Sequence, residues 1–334
     1  MFKIRSLVTA LALVGSISVA SALEVLPTVA PAPADNPTTA EKVELGQLLY
    51  HDPRLSSTGT VSCSSCHNTS LGGEDNRPNS MGVNGQTGGR SAPTVWNAAF
   101  NEVQFWDGRA PSLEAQAAGP VTNPIEMGMK SWDDVVARLK TIEGYQVAFE
   151  KAFGKDSISK DNATKAIAAY ERTLITPNSP FDKYISGDKS ALTAQQVRGL
   201  NKAQELGCTG CHSGPAFNGP GLFLPFPIHS NPVYAAKYHF KEDKGLAEVT
   251  KKAEDEHRWK VPTLRNIALT APYFHNGAAK TLDEAVVVMG KTQLDKDLSK
   301  DDVDDIVAFL NSLTGEFPKQ NLPVLPATPG STFN

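Results

Sequence analysis

The chain has 334 residues, 40% hydrophobic and 20% charged, an ordinary globular composition with length enough for two domains of typical size. Its net charge of -4 excludes a global basic footprint for nucleic acid and leaves room only for local docking patches. From the amino terminus, Lys3 and Arg5 supply a positive region, Leu7 to Val19 an apolar stretch, and Ala20-Ser21-Ala22 a small-x-small cleavage site. Residues 1–22 are therefore expected to be an export signal, with the mature chain starting at Leu23 in the periplasm. The alternative, an uncleaved anchor, fits less well because the apolar run is short for a span. No later stretch suggests a membrane span. Residues 23–37, rich in Pro and Ala, read as a flexible lead-in.

Val43, Leu45, Leu48 and Leu49 form an apolar helical face just before a first cysteine pair, Cys63-Ser64-Ser65-Cys66-His67. A Gly/Asn/Pro-rich loop follows over 68–94, and helices are expected at 131–140 and 161–174. Turn formers cluster at Pro177 to Lys189, which marks a domain junction. Thr193 and Gln196 make a capping box, and Val197, Leu200, Ala203 and Leu206 lead into a second pair, Cys208-Thr209-Gly210-Cys211-His212. Another loop covers 213–232. A helix is expected at 281–289. Ser299 caps a last one, with Val303, Ile306, Val307 and Leu310 on its inner face and an end at Gly315.

The four cysteines of an exported chain would by default form two disulfides. Here both pairs are Cys-x-x-Cys followed directly by His, the attachment signature of a c-type haem. Two thiols at that spacing reach the two vinyl groups on one edge of a porphyrin, and the adjacent His gives its imidazole to the iron. A thioredoxin-like site belongs with a βαβ pattern that is missing. A zinc site would use all four thiols and leave both His residues unexplained.

A second repeat supports two related modules. Pro93-Thr94-Val95-Trp96-Asn97 matches Pro262-Thr263-Leu264-Arg265-Asn266. At the same offset Phe105-Trp106-Asp107-Gly108 falls on Phe274-His275-Asn276-Gly277, and Ser112-Leu113-Glu114 on Thr281-Leu282-Asp283.

With these residues the chain resembles the bacterial di-haem cytochrome c peroxidases. The resemblance rests on LGQLLYHDPRLS (45–56), SCSSCHN, GGRSAPTVWNAAFN (88–101), QFWDGRA (104–110), NPIEMG (123–128), GCTGCHSG, VPTLRN and PYFHNG. It implies a mainly α, loop-rich fold of two cytochrome c-like domains, each with one covalent haem. Residues 38–180 would hold the peroxidatic haem. Residues 181–334 would hold the electron-transfer haem and end in a C-terminal tail. It further implies reduction of hydrogen peroxide to water with electrons from a small soluble cytochrome c or a cupredoxin, and often a homodimer. Carried onto this sequence, the proximal ligands are His67 and His212, and the distal ligand of the electron-transfer haem is Met289. Trp106 lies between the haems, Gln116 and Glu126 line the peroxide pocket, and the carbonyls of Thr270 and Pro272 hold a calcium ion between the domains.

Two positions depart from the family pattern. Val83 stands where many members place a distal His on the peroxidatic haem, and no His occurs between His67 and His212. The peroxidatic haem is therefore expected to lack a protein sixth ligand and to need little or no reductive activation. Ser91 stands where an Asn commonly ligates calcium, which puts that site in doubt. Glu126 suits the proton transfer of peroxide cleavage, although a solvated loop carboxylate is the usual fate of Glu. Met289 follows three valines, so a core role competes with ligation. Trp106 has a packing alternative as well. His275 is open between a hydrogen bond to a haem propionate and interface packing. His51, His229, His239 and His257 read as surface or loop residues.

Two other functions compete. One is a di-haem oxidase of a protein substrate, related to the enzyme that completes tryptophan tryptophylquinone. That relative has Tyr where this chain has Met289. The other is a plain di-haem electron carrier, which would have both haems six-coordinate, against the missing His.

Overall fold

Short hydroxyl side chains set most of the helix starts. Thr39, Ser112, Ser131, Ser159, Ser179, Thr193, Thr281 and Ser299 each accept an N–H from the first turn of the helix that follows, satisfying a donor the helix cannot. In the computed structural model, which describes residues 23–328 and Gly330, the architecture is mainly helical and loop-rich. The expected export signal, residues 1–22, lies outside the described residues. In chain order the helices are α1 (Ala40–His51), α2 (Cys63–Cys66), α3 (Leu113–Thr122), α4 (Trp132–Lys140), α5 (Glu143–Phe153), α6 (Lys160–Glu171), α7 (Pro180–Ile185), α8 (Ala194–Glu205), α9 (Cys208–Cys211), α10 (Pro232–Tyr238), α11 (Ala247–Thr250), α12 (Leu282–Leu294) and α13 (Lys300–Asn311). Two short strands, β1 (Phe223–Pro225) and β2 (Arg258–Lys260), pair antiparallel with Phe223 opposite Lys260.

Hydrophobic burial divides along the sequence. One core joins Leu45, Leu49, Tyr145, Phe149 and Ile167. A second joins Phe181, Leu200, Phe217, Phe309 and Leu313, and a third joins Tyr238, Phe240, Tyr273 and Val288. The first two share a construction. α1 crosses α6 at Gly46, where a Cβ would overlap the Ala166 carbonyl. α8 crosses α13 at Gly199, where a Cβ would overlap the Asp305 carbonyl. Glycine lets each helix backbone rest on its partner.

The sequence repeat is a backbone repeat. Asn97 and Asn266 are both left-handed, at φ 64° and 59°. Phe105 and Phe274 follow at φ 68° and 73°. Each loop closes on a bridge, Gln104 to Ala110 and Tyr273 to Ala279, before entering α3 or α12. The two asparagines meet at one hydroxyl: the side-chain amides of Asn97 and Asn266 each donate to Thr176 Oγ1 at 2.9 Å. The Thr176 amide donates back to Asn97 Oδ1 at 2.9 Å, and Gly315 N–H to Asn266 Oδ1 at 3.1 Å.

Three departures from the sequence reading concern connections. Residues 23–37 are anchored rather than loose. The Leu26 amide donates to Asp182 Oδ1 at 3.1 Å, and Asn36 is fully buried between Glu114, Lys165 and Lys42. The Pro177–Lys189 junction contains α7, with Pro180 at its first turn and Ser179 and Asp182 as a capping box. The tail beyond α13 returns to the N-terminal half. Phe317 packs edge-on to Trp96 at 4.8 Å, Tyr170 Oη donates to Gln320 Oε1 at 3.0 Å, and Arg54 donates to the Pro326 carbonyl at 2.9 Å.

Thr176→Val keeps the shape of the central residue and removes the acceptor of two buried amide donors. At roughly 1–3 kcal/mol for each buried group left unpaired, the thermal midpoint should fall by several degrees. An unchanged midpoint in calorimetry would show that the asparagines find other partners.

Candidate active site

Each Cys-x-x-Cys segment is a single helical turn, which places its two sulfurs on one side, three residues apart. The His that follows caps the turn: His67 N–H donates to the Cys63 carbonyl and His212 N–H to the Cys208 carbonyl, both at 2.9 Å. No disulfide joins the four cysteines.

The imidazoles are oriented by the repeat. His67 Nδ1–H donates to the Pro93 carbonyl at 2.9 Å, and His212 Nδ1–H to the Pro262 carbonyl at 3.1 Å. Pro93 and Pro262 are the first residues of the matching segments. The next residues lock those segments: Thr94 Oγ1 donates to the Gly72 carbonyl at 2.7 Å and Thr263 Oγ1 to the Ala216 carbonyl at 2.6 Å. Each arrangement holds one tautomer and leaves Nε2 free to bind a metal. Burial lowers the pKa of both rings, which favours the neutral, ligating form. Tyr50 Oη adds a hydrogen bond to the His67 carbonyl at 2.6 Å.

An apolar cavity opens above the second pair. Cys208, Cys211 and His212 line it together with Met289, Leu264 and Phe217. Thiols, a tethered imidazole and a thioether around one apolar slot are a donor set that suits a covalent c-type haem. Tyr273 lines the slot too, but its hydroxyl donates to the Ile267 carbonyl at 3.1 Å and burial raises it to about 12.

At the first pair, the loop carrying Val83 is strapped to the turn carrying Glu126. Val83 N–H donates to the Glu126 carbonyl at 2.9 Å, and Gly82 and Gly128 leave no space for a Cβ at this crossing. Val83 is buried. Glu126 Oε1 accepts from Asn123 Nδ2 at 2.8 Å. Burial raises the Glu126 carboxyl above its ordinary range, against the opposing pull of Arg109 and Asn123. α3 carries Gln116, half-buried. Its last turn accepts from the Met127 amide at Pro120 and the Met129 amide at Val121, which fixes the Glu126 turn to the helix.

Between the halves, Trp106 belongs to the N-terminal loop yet lines the C-terminal cavity. Its indole N–H donates to the Ser91 carbonyl at 2.9 Å, and its ring stands edge-on to His275 at 6.5 Å. Arg90, next to Ser91, pairs with Asp107 and forks onto Asp243 at 2.6 and 2.8 Å.

The model of the family described as di-haem cytochrome c peroxidase matches residues 40–190. Cytochrome c551 peroxidase of Nitrosomonas europaea is 45% identical, over 90% of this chain and 88% of that protein. The chain belongs to the di-haem cytochrome c peroxidase family. Cytochrome c peroxidase Ccp of Escherichia coli is 48% identical over 86% of the chain, which spans 61% of that longer relative. A crystal structure of a MauG-like protein associated with microbial copper homeostasis superposes with a TM-score of 0.78 at 29% identity, over 88% of this chain and 94% of that one. The peroxidase accordingly carries two c-type haems, one for each cysteine pair.

The structure gathers the residues expected at the C-terminal haem and places position 83 beside Glu126. The calcium residues are less clearly joined. Ser91 hydrogen-bonds to Arg77, Trp106 and His275. The carbonyls of Leu269 and Ala271, which flank Thr270, accept from Asn76 Nδ2 at 3.3 and 3.0 Å. Sequence reading assigned no role to Tyr50 or Arg90, which it quoted only inside longer segments; no local spacing pattern links them to their partners His67, Asp107 and Asp243.

The two attachment sites are independent in this geometry. Cys208→Ser with Cys211→Ser in the periplasmically matured peroxidase should lower the pyridine haemochrome count from two covalent haems per chain to one. A count still at two would deny the assignment.

Proposed function

We propose that this peroxidase reduces hydrogen peroxide to water at the N-terminal haem and draws its two electrons, through the C-terminal haem, from a small soluble cytochrome c or cupredoxin. The observation that carries the reading is the juxtaposition of Val83 and Glu126, an apolar side chain and a carboxyl on two segments strapped together. Val has no atom that ligates iron, so the distal face is left to the oxidant.

The haem, when bound, supplies an open metal site and electrons, and the chain manages the protons. Glu126 has one oxygen engaged by Asn123. Its other oxygen can take the proton from one peroxide oxygen and return it to the other, so that water departs when the O–O bond breaks. Burial disfavours its charged form, which suits a group that must hold and return a proton. The Gln116 amide serves to orient the peroxide. Two protons and two electrons complete the balance of two waters per peroxide.

Trp106, held by Ser91 and lining the second cavity, is the proposed conductor between the halves. Met289 and His212, which line one cavity, are the residues that would hold the C-terminal haem; thioether ligation would raise its potential and favour its reduced form when a donor is present. The oxidase reading needs a tyrosinate there. Position 289 is Met, and Tyr273 has its hydroxyl engaged. The carrier reading needs a sixth ligand on the first haem, which Val83 does not provide.

The periplasmic location rests on the signal-like residues 1–22. Among the described residues, no helix is long and apolar enough to cross a membrane. Calcium at Thr270, Pro272 and Ser91 rests on the family resemblance. Among the described residues, no three His, Cys, Asp or Glu side chains gather into a metal-binding group.

Two measurements test the mechanism. The fully oxidised protein should show one high-spin and one low-spin haem by electron paramagnetic resonance, with turnover that needs no pre-reduction. Two low-spin haems would place a ligand on the distal face and overturn the open-site reading. Glu126→Gln should keep both haems and lose about 10²–10⁴-fold in peroxide turnover, the usual contribution of a positioned acid-base group. Turnover within a few fold of the parent would remove Glu126 from the mechanism.

A further inference from the structure

The cavity around Cys208, Cys211 and His212 is apolar over most of its wall, which suits the body of a porphyrin but not its two carboxylates. A carboxylate carried into such a slot without a partner is strongly disfavoured, so cations or N–H donors must meet it. One stretch of wall has such groups. Lys260 lines the cavity, and among the described residues its ammonium has neither an ion pair nor a hydrogen bond. Burial alone pushes that ammonium down to about 8. Trp259 and His275 line the same cavity, stacked 4.0 Å apart at 16°. Trp259 Nε1 and His275 Nε2 are two of the four buried side-chain polar atoms that find no partner among the described residues. Three unsatisfied nitrogen groups on one wall are not explained by packing, since native interiors pair nearly all such groups.

We infer that Lys260, with the indole N–H of Trp259 and the imidazole of His275, forms the carboxylate-binding wall of this cavity and takes the propionates of the C-terminal haem. The neighbouring cation is already committed. Arg90 lies over the Trp259 ring at 5.0 Å, but its guanidinium is engaged by Asp107, Asp243 and Glu248. Lys260 is therefore the free positive charge for an anion in the slot. Its backbone fixes where that anion sits: Lys260 N–H donates to the Trp106 carbonyl at 3.0 Å. The propionate edge thus lies at the seam between the halves, alongside the tryptophan proposed to conduct. Lys260 acts as a positioning residue that also sets the charge at the haem edge.

This inference rests on the cavity being the site of the C-terminal haem, and the test separates the two. Lys260→Met and Lys260→Arg are prepared as periplasmically matured full-length protein, and covalent haem is counted first. The Lys260 ammonium favours the reduced haem, which carries one positive charge fewer than the oxidised haem, and Lys260→Met removes that ammonium. The C-terminal midpoint potential should therefore fall while the N-terminal midpoint stays, and Lys260→Arg should stay near the parent. The propionate bending band in resonance Raman should shift in Lys260→Met. Trp259→Phe is the second arm: it removes one N–H, keeps an aromatic ring against His275, and should shift the band with a smaller fall in potential. If Lys260→Met and Trp259→Phe both hold two haems with parent potentials and an unmoved band, the inference is overturned. A parent protein with one covalent haem, at Cys63 and Cys66, would instead sink the haem assignment beneath it.

Discussion

A proline carbonyl fixes each imidazole, and the rest of the site depends on that bond. A histidine on a one-turn helix between long loops has two tautomers and free rotation about its side-chain bonds. The hydrogen bonds from His67 to Pro93 and from His212 to Pro262 remove both freedoms. Proline has no N–H to pair, so its carbonyl is held only through its neighbours. In each half the neighbouring threonine bonds to the carbonyl of the loop that follows the cysteine pair. Iron ligation, haem tilt and potential all inherit their precision from this second layer. The repeated Pro-Thr segment is thus the part of the duplication that chemistry uses.

The same segments build the joint between the halves. Each runs from its proline to an asparagine in the left-handed region, and both asparagines end on Thr176. A displacement of one module against the other would disturb a hydrogen bond at the end of the segment whose first residue holds His67 or His212. Arg90 adds a second tie through Asp243, and the Lys260 amide a third through Trp106.

Legibility in the sequence followed distance along the chain. The cysteine pairs, the capping box at Thr193 and the apolar faces of α8 and α13 are local patterns, and each reads directly from spacing. α3 was passed over because Gly119 and Pro120 lie inside it, and its start depends on Ser112 alone. α7 was taken for a turn because Ser-Pro reads as a breaker, although proline suits a first helical turn whose N–H has no partner in any case. The lead-in at 23–37 looked loose by composition. Its anchors are Asp182 and the Glu114–Lys165 corner, more than seventy residues away in every case, where no local rule reaches. Lys260 was invisible for the opposite reason. A lysine two residues before Pro262 is unremarkable until burial shows that its charge has no partner.

Val83 shows how one residue alters the energetics of the proposed cycle. The resemblance implies that members with a distal histidine have a closed resting haem, whose ligand must leave before an oxidant enters. Here the loop is strapped at both ends: Val83 N–H holds the Glu126 carbonyl, and Arg90 further along forks onto Asp243 of the other half. In the proposed open site, where no ligand has to be expelled, these ties would cost nothing in turnover, and the Val83 bond holds the Glu126 turn against the loop. A mobile loop would have to be re-ordered in each cycle, at roughly 1–2 kcal/mol for every residue fixed. The apolar substitution and the strapped loop therefore belong together: an open distal face favours a rigid pocket, and a rigid pocket would trap any histidine placed in it.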